Sequence, residues 1–276
     1  MNFVPRHLCA LAVATAATTA AFSAQATTLQ ITVTNNQAIG GLSITPLYTA
    51  LHDGSFDAFN VGEAASAGIE EIAETGAPTT IAGERQGFDA DSQGLFLPSP
   101  DGPPPIQPGQ SVTGTFEVDT AEALYFTFLS MLLPSNDHFI GNDNPLAYQL
   151  FDASGNFLGD QTISVTGAQI YDAGTEANGL AGAAFIDGID ISESPAGEGT
   201  IQQGIGLSDE LLADGVFLAT GDVLNASLID FTSNPSAFNL LTIQISEVAP
   251  IPLPATAPML LGALGLMGWR HRRKKA

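Results

Sequence analysis

Cysteine, tryptophan and basic residues are scarce in this chain of 276 residues. The one cysteine, Cys9, sits near the N-terminus. Disulfides, a cysteine nucleophile, a thiolate zinc site and an iron–sulfur cluster are therefore excluded from the rest of the chain. Seven Lys and Arg stand against 29 Asp and Glu, and apart from Arg85 the basic residues lie at the two ends, at Arg6 and from Arg270 to Lys275. All the acids lie between those ends. Nucleic acid is excluded as a partner, because phosphate binding draws on cations, and an anionic lipid surface is disfavoured for the same reason. Ion pairs cannot hold such a fold together. A surface of one sign repels itself unless salt or bound cations screen it. Histidine is also rare, with only His52 and His138 between the ends. No Gly-x-Ser-x-Gly elbow, His-Glu-x-x-His helix or phosphate-binding glycine loop is present. The chain is thus not expected to be an enzyme. A secreted hydrolase acting on polysaccharide or ester substrates stays open as the alternative, since a Ser-His-Asp site need not be contiguous and an acid pair can serve a glycosidase.

The ends themselves carry information. Arg6 and His7 precede an uncharged apolar and small-residue run from Leu8 to Phe22, followed by Ala24-Gln25-Ala26. This order is that of a secretory signal peptide over residues 1–26, cut after Ala26. At the other end Ile251-Pro252-Leu253-Pro254-Ala255 leads into an apolar run from Met259 to Trp269 and then the basic cluster from Arg270 to Lys275. An apolar segment closed by basic residues stops translocation. From Ile251 to Trp269 it is a marginal span, interrupted by proline and by Gly262, Gly265 and Gly268. The three-part tail over residues 250–276 resembles the PEP-CTERM family of bacterial sorting signals, in the variant built on Val-Pro-Leu-Pro-Ala, with Ile251 in place of the first Val. Pro252, Leu253, Pro254 and Ala255 are the matching sorting-motif residues. The resemblance implies an exosortase-type processing enzyme as partner and a Gram-negative host. The domain would first be tethered in the periplasm by the membrane-inserted tail, then released to the cell surface or the extracellular matrix.

Between the two signals, residues 27–249 suffice for one large all-β domain that relies on its core rather than on disulfides. Leu29, Ile31 and Val33 alternate with Gln30, Thr32 and Thr34, the period of a half-buried strand. Further strands are expected over Ser43–Ala50, bent at Pro46, and over Val112–Val118, Leu124–Leu133, Thr162–Ile170 and Leu240–Ser246. Ala147–Phe151 and Phe157–Leu158 flank Asp152-Ala-Ser-Gly-Asn156, a hairpin connection. Two short helices are expected. One runs over Ala64–Glu74 and stops at Gly76; the other runs over Ser208–Ala213 behind a Ser cap. Many short strands and few helices argue for an antiparallel β-sandwich. Asp89-Ala-Asp-Ser-Gln-Gly94 begins like an EF-hand loop, but its twelfth position is Pro100 rather than Glu, and it reads as a solvated loop.

Three stretches stand out in order. They are Phe56-Asp-Ala-Phe-Asn-Val-Gly-Glu63 running into the first expected helix, Pro134-Ser-Asn-Asp-His-Phe-Ile-Gly141, and Tyr171-Asp-Ala-Gly-Thr-Glu176. Together they resemble the spondin N-terminal domain family, whose corresponding motifs read Pro-Ser-Pro-Asp-Trp-Phe-x-Gly and Tyr-Asp-Ala-Gly-Thr-Asp. The resemblance runs from the first strand to about Gly206. It implies a C2-like β-sandwich with a calcium ion held by loops at one end. Asp137 and Asp172 match the family's metal-binding aspartates, and Glu117 aligns with its metal-binding glutamate once a residue is inserted in the following loop. Asn136, His138 and Glu176 depart from the motifs, standing for Pro, Trp and Asp. The cysteines and thrombospondin-type repeats of animal members are absent. Calcium takes six to eight oxygen ligands, and carboxylates at two strand ends are suitable donors. Each aspartate has a plainer reading as a turn residue bonded to its own backbone. The expected function is a calcium-binding adhesion or structural module of the envelope or of an exopolysaccharide or biofilm matrix, facing an unidentified envelope glycan or surface protein. A passive acidic coat protein without a specific ligand is the further alternative.

Overall fold

The computed structural model describes residues 27–249, apart from 100–104, 121–122, 193, 198 and 214. The expected signal peptide and the expected sorting tail, with Pro252, Leu253, Pro254 and Ala255, lie outside the described residues. Among those described, no helix is long and apolar enough to cross a membrane.

The strands form two antiparallel sheets. The smaller contains β1 (Thr27–Asn35), β5 (Ser111–Val118), β8 (Gln161–Thr166) and β11 (Asn239–Glu247), in the order β5-β1-β11-β8. The larger holds β2 (Ser43–Ile44), β3 (Leu47–His52), β4 (Gln93–Leu97), β6 (Tyr125–Leu133), β7 (His138–Gly141), β9 (Ile170–Asp172) and β10 (Gln202–Gln203). Its order is β10-β9-β7-β6-β3-β4, with β2 also paired to β6. One continuous core lies between the sheets. Leu29, Ile31 and Val33 of β1 and Ile243 and Ile245 of β11 meet Phe126, Phe128 and Leu132 of β6 there. The polar halves of the alternating strands, such as Gln30, Thr32 and Thr34, face outward. Thr32 and Thr113 bond across strands at 2.9 Å.

The larger sheet is covered on its other face too. There α1 (Ala67–Thr75) and the segment around Phe56 and Phe59 pack Ile69, Ile72 and Ala73 against Leu129, Phe139 and Tyr171. This double burial explains why β6 is apolar at most positions rather than alternating. Phe59 meets Phe139 and Tyr171 edge-on, at 4.9 and 4.8 Å between ring centroids. Helix α1 is well delimited: the Ser66 side chain accepts from the Ile69 amide, and Gly76, at φ 70°, closes the last turn.

The structure corrects three sequence expectations. The second helix is α2 (Thr79–Phe88), while 208–213 forms a turn in which the Leu212 amide donates to the Ser208 carbonyl. Two glycines and only two buried side chains, Ile81 and Arg85, hide the pattern of α2. The expected strand to Ile170 breaks at a 3-10 turn over Gly167–Gln169, which hands the chain from one sheet to the other as β8 becomes β9. The acidic loop after α2 is not wholly solvated. Asp89 is buried, and its carboxylate accepts from the amides of Asp53, Asp91 and Ser92.

A candidate cation centre at one end of the larger sheet

Register brings the central residues together. β6 ends at Leu133, the chain turns through Pro134–Asp137, and β7 returns antiparallel beside it. β9 then pairs with β7 so that His138 lies directly opposite Asp172. Residues opposed in an antiparallel pair project to the same face. Asp137, one residue before β7, joins them, and ligand atoms of Asp137, His138 and Asp172 lie within 4.8 Å of one another. All three residues are buried.

The loop after β9 wraps the Asp137 carboxylate. Its Oδ2 accepts from the amides of Thr175 (3.0 Å) and Glu176 (2.9 Å). Asp172 Oδ1 accepts from the Gly174 amide at 2.7 Å, and Oδ2 accepts from Asn178 Nδ2 at 2.8 Å. Gly174 is obligatory at this bend. Its φ is 68°, and a Cβ there would lie 2.3 Å from the Thr200 carbonyl oxygen. A cleft of about 320 Å³ opens beside the wrap, lined by Asp172, Gly174, Glu176, Asn178 and Ile205 among others.

What these groups lack is equally informative. Asn136 Oδ1, Asp137 Oδ1, His138 Nδ1 and Glu176 Oε2 are buried with no hydrogen-bond partner. A buried acceptor left unpaired costs about 1–3 kcal/mol, and more when charged. Among the described residues no arginine or lysine compensates. Arg85 is itself buried and donates to Tyr48 Oη and Ser92 Oγ instead. His138 lies 3.8 Å from Asp137 and 4.0 Å from Asp172. Burial, then the charges of Asp172 and Glu176, push the Asp137 carboxyl up to about 7 against the pull of the loop amides. Burial, then Glu74 and Glu70, also hold Glu176 above the usual carboxylate range against a bond to Ser194. Burial keeps His138 below the ordinary imidazole value, with Asp172 and the Ile205 carbonyl pulling the other way. Each of these groups is thus held from its charged form by its surroundings. A divalent cation reverses that balance for the carboxylates.

The Spondin_N family model matches residues 41–185, just over half of the chain. The chain belongs to the spondin N-terminal domain family. No curated protein matches it. The matched stretch holds the whole Asp137–Asp172 centre but stops short of β11 and begins after β1. In this spondin N-terminal domain those two strands pair with each other at the middle of the smaller sheet, so the folded unit extends beyond the match on both sides.

Of the three metal ligands expected from the sequence, Asp137 and Asp172 come together and Glu117 does not. Glu117 is exposed on β5, opposite Thr28. Its carbonyl accepts from Gln93, which pairs with Leu51, which in turn pairs with Phe126 at the start of β6. Asp137 follows the far end of that nine-residue strand, roughly 25 Å away at 3.3 Å per residue. Glu117 therefore cannot share an ion with the two aspartates. The side chain that does reach the centre is His138, which counted only as a departure from the family motif; Glu176, another departure, contributes its amide to Asp137. The other histidine among the described residues is occupied elsewhere. His52 Nε2 bonds Thr127 Oγ1, Nδ1 accepts from the Gly54 amide, and burial lowers its pKa to about 4.

Proposed function

We propose that this spondin N-terminal domain is an exported, cation-stabilised binding or structural module of a bacterial envelope or extracellular matrix. Its C-terminal tail would be read by an exosortase-type enzyme at Pro252, Leu253, Pro254 and Ala255. The carrying observation is the buried pair Asp137 and Asp172, with Asp137 Oδ1 and His138 Nδ1 unpartnered between them, in a domain whose one internal arginine is committed elsewhere. Asp137 and Asp172 would hold the ion, at the one cluster of potential ligand atoms among the described residues. Calcium, which takes carboxylate and carbonyl oxygens, is the ion implied by the resemblance and plentiful outside cells. The ion's contribution is structural: it ties the turn before β7 to the loop after β9 and so sets the shape of one end of the domain. The polar outward face of the smaller sheet and the acidic loops would then meet an envelope glycan or surface protein. No catalytic step is assigned to the domain.

The test is the calcium dependence of the thermal midpoint in 0.15 M salt, which screens the general field. At ten times the dissociation constant, a single site stabilises the fold by about 1.4 kcal/mol. The double variant Asp137→Asn, Asp172→Asn is expected to lose this shift. A variant of two exposed acids, Asp91→Asn with Asp160→Asn, is expected to keep it. Equal shifts in parent and both variants would mean diffuse counter-ion binding and no specific centre.

A further inference from the structure

His138 is buried in the centre yet only half of its ring is accounted for. Nε2 lies 3.3 Å from the Ile205 carbonyl oxygen, and Phe231 packs edge-on against the ring at 6.3 Å. With Nε2–H donating to that carbonyl, Nδ1 presents a lone pair. It faces Asp137 Oδ1 at 3.8 Å, and neither atom has a hydrogen-bond partner. Two buried lone-pair atoms thus confront each other with no donor between them. A carbonyl that fixes one imidazole nitrogen while the other stays free is the usual support of a metal-bound histidine. The separation also fits. Two donors about 2.1–2.4 Å from a shared ion, at an angle near 110°, lie about 3.4–3.9 Å apart.

We propose that His138 Nδ1 is a ligand of the centre and turns its preference from Ca²⁺ to borderline divalent ions of the Mn²⁺ to Zn²⁺ class. This rests on the reading of the Asp137–Asp172 pair as a cation centre and names the ion it selects. Hard calcium gains little from an imidazole nitrogen. Manganese, cobalt and zinc gain a strong donor while keeping the carboxylates.

Competition titrations on the metal-free protein, with Mn²⁺ and Ca²⁺ in 0.15 M salt, test the preference. Pulsed electron paramagnetic resonance of bound Mn²⁺ reads nitrogen coordination directly in the parent and needs no variant. The expected result is Mn²⁺ binding at least tenfold tighter than Ca²⁺, with ¹⁴N coupling to the ion. His138→Phe should keep calcium binding, lose the ¹⁴N signal and lower the Mn²⁺ to Ca²⁺ preference by about tenfold. Saturable Ca²⁺ and Mn²⁺ binding without ¹⁴N coupling would overturn the nitrogen ligand and leave the calcium centre standing. Absence of any saturable site for either ion would overturn the centre and this inference together. If the Phe variant does not fold, the coupling measured in the parent decides alone.

Discussion

Replacing Asp137 by Asn should stabilise the metal-free protein at neutral pH while abolishing its response to cations. The carboxyl titrates near 7 in the folded chain against 3.8 for an ordinary aspartate. Between those values the folded state holds a proton that the unfolded state has released. Stability from this group is therefore complete below pH 4, falls as pH rises, and is gone above pH 7. At 1.36 kcal/mol per pH decade the ceiling is about 4 kcal/mol, and relaxation of the loop will reduce it. Asn is neutral throughout and nearly the same shape. Its Oδ1 can accept from the Thr175 and Glu176 amides as Asp137 Oδ2 does, and its Nδ2 can face the free Nδ1 of His138. Urea denaturation with chelator at pH 4.5 and 8 measures both proteins. The variant is expected to exceed the parent by about 1 kcal/mol at pH 4.5 and by about 2–4 kcal/mol at pH 8. Comparing the two removes the contributions of other acids, such as Asp230, which its Ser233 and Thr232 bonds hold at about 2 and which acts with the opposite sign. A difference between parent and variant that is the same at both pH values would refute the reasoning.

Three further outcomes follow from the fold and the ends of the chain. Phe128→Ala removes a fully buried ring from between the sheets and should cost about 3–5 kcal/mol in denaturant unfolding. Ser66→Ala removes the cap of α1 and its bond to Glu84 at 2.7 Å; a loss of about 1 kcal/mol is expected, with cation binding unchanged by calorimetry. In the native host the tail from about residue 250 should be cut or exchanged, so intact-mass spectra of envelope material that show only chains ending at Ala276 would reduce it to a plain anchor.

Most of the sheet architecture is legible because burial is one-sided and strict. The alternation in Leu29, Ile31 and Val33 and the continuous apolar run of β6 follow from one face or two faces being covered. Short elements are not legible in this way. β7 has only four residues, and its pairing with β9 is a long-range fact that no local pattern carries. That register is what places His138 opposite Asp172. It explains how Asp137 and Asp172 can be picked from their motifs while His138 goes unnoticed beside them. Glu117 fails for the converse reason. An acid that aligns with a family ligand can look like one in sequence, but its parity puts it on the outer face of the smaller sheet, and its contact with Gln93 sets it level with the start of β6, far from Asp137. Helix α2 escapes because its glycines and polar residues pack through only Ile81 and Arg85.

The central claim is that one cation sits between Asp137 and Asp172. A crystal grown with Mn²⁺, with data collected near the manganese absorption edge, tests it directly. The account predicts one strong anomalous peak within bonding distance of both carboxylates. Peaks scattered over exposed acids, with none between Asp137 and Asp172, would contradict it.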